Sequence, residues 1–126
     1  MAPLSGFVFF ENRPALPLIK VWIEKVGEVI ALVDSGASVS AVRLSVVRKF
    51  LNPSRKVNKA KLRGVDNKPV RVEGSLPLNV KWGGKLVKIN HVTVLRTAPF
   101  ALILGVDWIV KSNTSIVVKR GRIELV

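Results

Sequence analysis

The chain contains no cysteine. That excludes disulfides, thiolate nucleophiles and cysteine-based zinc sites, and it fits a reducing interior without fixing the compartment. It has one histidine, His91, so a multi-histidine metal site cannot be assembled within a single copy. Neither Gly-x-x-x-x-Gly-Lys-Ser/Thr nor Gly-x-Gly-x-x-Gly occurs, which removes the common phosphate-binding loops. No apolar stretch reaches the ~18 residues of a membrane-spanning helix, so no membrane partner is expected. The start, Met1-Ala2-Pro3-Leu4-Ser5-Gly6, lacks a charged segment followed by a long apolar core. No signal peptide is therefore expected, nor secretion. Acids are scarce: 8 Asp and Glu stand against 21 Lys and Arg, a net charge of +13.

At 126 residues and 48% hydrophobic content, the chain is expected to form one domain with a modest core rather than a disordered segment. Pro3, Pro14 and Pro17 suggest that residues 1–15 are an extended leader of uncertain order, with the domain over 16–126. Basic residues crowd one stretch: Arg43, Arg48, Lys49, Arg55, Lys56, Lys59, Lys61, Arg63, Lys68 and Arg71 face a single acid, Asp66. The plain reading is a solvated, solubilising face. The alternative is a surface for nucleic-acid phosphates or an acidic protein. Phe50 is its only aromatic residue, which argues against a base-stacking platform there.

Short apolar runs rich in β-branched residues, punctuated by Gly, Pro, Asn and Asp, predict an all-β domain. Strands are expected over 16–24 and 29–33 around the turn Lys25-Val26-Gly27-Glu28, and over 39–42. A helical turn is expected over 44–51, stopped by Asn52-Pro53. Asp66-Asn67-Lys68-Pro69 predicts a hairpin within 61–73, and Gly83-Gly84 another between 76–82 and 86–95. A wholly apolar strand over 100–104 runs into a short helix over 107–111. Strands over 116–119 and 123–126 flank Arg120-Gly121.

The segment most informative about chemistry is Asp34-Ser35-Gly36-Ala37, directly after Val29-Ile30-Ala31-Leu32-Val33. A lone carboxylate at the end of a buried strand is costly unless it is used. Taken alone, Asp-Ser-Gly reads as a turn or helix cap. The downstream run Ala101-Leu102-Ile103-Leu104-Gly105-Val106-Asp107-Trp108 changes that reading. The two segments together, at this chain length, resemble the retropepsin family, the small aspartic proteases of retroviruses and LTR retrotransposons. The Ile-Leu-Gly-x-Asp-Trp form is more similar to retrotransposon members. The resemblance spans about Leu16 to Val126.

The resemblance implies a retropepsin-like fold with one short C-terminal helix, and an active site closed only in a homodimer. It implies an aspartic endopeptidase that processes a polyprotein substrate without metal or organic cofactor, in the cytoplasm or a virus-like particle. Asp34 would be catalytic, supported by Ser35, Gly36 and Ala37. Ser35 would hydrogen-bond across the dimer, and Gly36 would let the backbone approach and support the carboxylate. A flap over 61–73, with its tip at Gly64-Val65-Asp66-Asn67, would close on substrate, and Leu102 and Ile103 would line the cleft. The terminal strand 122–126 would join a dimer sheet. Many retroviral relatives pair an acid at the position of Ser38 with an Arg at that of Val106, and both are missing here, so neither charge is left alone. Asp107 reads as a helix-start acid, Asp66 as a turn residue and His91 as structural or exposed. Trp22, Trp82 and Trp108 read as core or interface anchors. A second expectation is a catalytically weak dimer of the same fold that binds nucleic acid or an acidic protein through 43–71.

Overall fold

The computed structural model describes residues 7–8, 16–49 and 71–126. Its elements are β1 (Phe7–Val8), β2 (Leu16–Ile23), β3 (Gly27–Val33), β4 (Ala41–Arg43), α1 (Leu44–Val47), β5 (Val72–Trp82), β6 (Lys85–Leu95), β7 (Leu102–Leu104), α2 (Val106–Lys111), β8 (Ile116–Lys119) and β9 (Arg122–Leu125). The predicted hairpin tip at Gly64, Val65, Asp66 and Asn67 lies outside the described residues, as does most of the basic stretch.

Strands β2, β3, β7, β4, β6 and β5 pair in that order, and β5 pairs back onto β2. The sheet thus closes into a barrel, which removes exposed strand edges. Alternation along the strands fills it. Ile19, Val21 and Ile23 of β2 point inward, as do Leu76, Leu78, Val80 and Trp82 of β5. Ala31 and Val33 of β3 meet Leu102 and Leu104 of β7, all at most 2% exposed. Each buried Val, Leu or Ile side chain contributes about 1.5–3 kcal/mol. Trp108 of α2 caps one side, its ring edge-on to Trp82 with centroids 5.6 Å apart. Trp82 and Trp108 are therefore core residues, whereas Trp22 is 45% exposed on the barrel's outside.

Tight turns set the hairpins. Gly83 and Gly84 both have positive φ, as do Arg120 and Gly121, the requirement of a two-residue hairpin turn whose twist matches the strands. Pro77 sits where the β5–β6 register shifts, a place where a missing N–H is tolerated. Within the expected leader, Phe7–Val8 pairs antiparallel with Leu16 and Pro17, extending β2's neighbourhood beyond the boundary drawn at residue 15. Among the described residues no helix is long and apolar enough to cross a membrane.

One crossover positions the functional segment. β7 inserts between β3, to which it is parallel, and β4, to which it is antiparallel. Val33 is thereby paired with Leu104, and the residues that follow both strands emerge side by side.

Candidate active site

Asp34 is the first residue past β3. Val33 is buried, but Asp34 leaves the end of the barrel and is only half-buried. The expected buried carboxylate is thus partly solvated, because the strand ends before it. Its backbone N–H donates to the Leu104 carbonyl at 2.8 Å, and its own carbonyl accepts from the Ala37 N–H at 3.1 Å. Those two bonds fix the loop's entry and its turn. The Gly36 N–H donates to Asp34 Oδ1 at 2.9 Å and sets the carboxylate's orientation. A Cβ on Gly36 would sit 3.2 Å from that same oxygen, a tight fit that favours glycine. Ser35 and Ser38 are exposed and Ala37 is half-buried.

A second layer holds this loop from behind, and little in the sequence pointed to it. Asp107 Oδ1 accepts from the Ser40 hydroxyl at 2.6 Å, and Asp107 Oδ2 accepts from the Ser40 N–H at 2.9 Å. The Ser40 hydroxyl oxygen in turn accepts from the Gly105 N–H at 3.0 Å. The Val106 N–H donates to the Ala37 carbonyl at 2.8 Å. Asp107 does accept from a helix-start amide, that of Trp108 at 2.7 Å. Its larger task is to tie α2 to the segment after Asp34. Ser40 is fully buried, so its polar atoms must be satisfied internally.

Gly105 is required by approach distance rather than by its backbone angle. A Cβ there would lie 2.5 Å from the Ala37 carbonyl oxygen and 2.8 Å from the Val39 carbonyl group. The Leu-Gly step noted in the sequence therefore marks the point where β7 presses against the Asp34 loop.

Leu102 and Ile103 separate. Leu102 is fully buried in the core and cannot line a cleft. Ile103 points to the other face, where it is paired with Leu32 and with Ala41, leaving a partly open apolar wall beside Asp34. Two-residue alternation explains the split: neighbours in a strand face opposite ways. Val106, the residue after Gly105, is 39% exposed. Among the described residues no group of three His, Cys, Asp or Glu side chains is arranged to hold a metal ion.

The site therefore offers one carboxylate, oriented by an amide, at the open end of a barrel. The other nearby acid, Asp107, is engaged by three donors.

No family model matches the chain. No curated protein matches it in sequence. Solved structures do match in fold. The EIAV protease complexed with the inhibitor HBY-793 superimposes with a TM-score of 0.65 at 23% identity, over 88% of this chain and 100% of its own. The retroviral protease-like domain of Ddi1 from Leishmania major gives 0.63 at 16% identity, over 86% and 91%. A retropepsin-like aspartic protease from Rickettsia conorii gives 0.59 at 20% identity, over 90% and 84%. At these identities the likeness is one of fold.

Proposed function

We propose that this chain, which has the retropepsin-like fold, is one half of an aspartic endopeptidase that works as a homodimer. The supporting observation is Asp34 itself. It is half-solvated, oriented by the Gly36 amide, and without a second free acid beside it among the described residues.

Amide hydrolysis needs a base for water and an acid for the departing amine. Two carboxyl groups about 3 Å apart cannot both ionise, so they share a proton and supply both functions. A second copy related by a two-fold axis would bring its Asp34 opposite the first. The ionised member takes a proton from water as its oxygen attacks the peptide carbonyl. The protonated member gives its proton to the carbonyl oxygen. Collapse of the tetrahedral species then transfers a proton to the leaving nitrogen, with no bond to the enzyme. Titration belongs to the pair. Cleavage is expected to be fastest at acidic to mildly acidic pH, and a rate still rising above neutrality would contradict the shared proton.

The substrate class is an extended peptide segment lying along the Leu32 and Ile103 wall, within a polyprotein of a retroelement or retrovirus. The working place would be the cytoplasm or a virus-like particle. The test pairs Asp34→Asn with sedimentation. The variant should lose cleavage by about a thousandfold or more while dimerising normally. A strictly monomeric protein that cleaves at full rate would overturn the half-site reading. A wild-type dimer that cleaves nothing would leave the binding-module alternative.

A further inference from the structure

The outer wall of the barrel carries a row of side chains that neither the core nor the Asp34 site uses. Glu28 of β3 is paired with Trp22 of β2, Trp22 with Lys81 of β5, and Lys81 with Leu86 of β6. Adjacent rows place Ile30 opposite Lys20 and Asn79 opposite Lys88. Such partners share a face, about 4.5–5.5 Å apart. Trp22 is 45% exposed, Ile30 46% and Leu86 62%. The Trp22 indole, flanked directly by Glu28 and Lys81 with Ile30 diagonal to it, leaves a flat apolar ring on the surface, in a chain where the other two tryptophans are buried.

The charges around this platform favour an anion. Lys20 pairs with Glu28 at 3.6 Å, and Glu24 accepts the neutral Asn79 amide at 2.5 Å and keeps its charge, so Lys81, Lys88 and Lys111 stand against one uncompensated acid. Lys81 and Lys88 are exposed and form no ion pair among the described residues. Lys111 comes alongside, its Nζ 2.8 Å from the Lys88 carbonyl oxygen. The whole chain adds a field of +13.

We propose that this face binds single-stranded nucleic acid, with a base stacked on Trp22 and phosphates held by Lys81, Lys88 and Lys111. Unpaired bases expose the π-face that an indole can cover, and their backbone supplies the anions. A duplex hides its base faces. An acidic peptide would engage the lysines but leave the platform unused. The stretch 43–71, basic but nearly free of aromatics, lacks the stacking element that Trp22 provides. The inference does not depend on peptide hydrolysis.

The intrinsic fluorescence makes the test direct. The chain has no tyrosine, and Trp82 and Trp108 are 9% and 1% exposed, so Trp22 is the accessible emitter. Short oligothymidylate should quench it. In anisotropy titrations with labelled oligothymidylate, Trp22→Leu should weaken binding about tenfold or more, while Trp22→Phe keeps most of it. Three phosphate contacts predict a log–log salt slope of about −2, and Lys81→Gln or Lys88→Gln should each reduce it by about 0.7. The proposal is overturned if oligothymidylate leaves wild-type emission unchanged. It is equally overturned if duplex binds as well as single strand with Trp22→Leu neutral, or if polyglutamate shifts Trp22 emission and oligothymidylate does not. Should Trp22→Leu fail to fold, the wild-type quenching decides.

Discussion

Replacing Ser40 by alanine would remove one hydroxyl and leave two partners short: Asp107 Oδ1 loses a donor and the Gly105 N–H loses an acceptor. Unsatisfied buried groups cost about 1–3 kcal/mol, and urea unfolding of Ser40→Ala should register a loss of that size. Asp34→Asn should differ sharply. The amide oxygen can still accept from the Gly36 N–H, and the side chain is half-solvated, so stability should stay within about 0.5 kcal/mol while cleavage is lost. Gly105→Ala tests the close approach. Its Cβ would overlap backbone atoms of Ala37 and Val39 in the loop after Asp34, and a loss of about 3 kcal/mol or more is expected. Equal stability of Gly105→Ala and wild type would mean that β7 does not press on the Asp34 loop as described.

At the level of elements, the crossover of β7 between β3 and β4 does what no local signal could specify. It converts an apolar strand into the support for a loop distant in sequence. The hairpins were legible because their signals are local: Gly83-Gly84 and Arg120-Gly121 appear as turns where the chain predicts them. Arg120 still carries a side chain at φ 50, which is unfavourable for anything but Gly, Asn or Asp. Arg120→Asn should therefore stabilise the β8–β9 hairpin by a few tenths of a kcal/mol, read as a small rise in the unfolding midpoint. The helix after β7 was legible from its sequence, but its tie to Ser40 was not, because a hydrogen bond between residues so far apart leaves no periodic trace.

For the whole molecule, charge gives two salt responses of opposite sign. Two copies of a +13 chain repel, so dimer population should rise between low and moderate ionic strength, measurable by sedimentation. A dimer that weakens over that range would remove the electrostatic argument. Oligonucleotide binding at the Trp22 face should weaken over the same range, because it releases condensed counterions. The two processes can thus be separated in one titration series.

The sequence by itself determined the all-β class and the turns at Gly83-Gly84 and Arg120-Gly121, and it marked Asp34-Ser35-Gly36 and Leu104-Gly105 as the segments that matter, because these rest on alternation, turn chemistry and short motifs. Only the tertiary structure decided that Asp34 stands half in solvent, that Leu102 is buried while Ile103 turns to the other face, and that Trp22 lies outside the core. Those outcomes depend on which strand closes against which, and barrel closure is a property of nonlocal pairing that no window of residues contains.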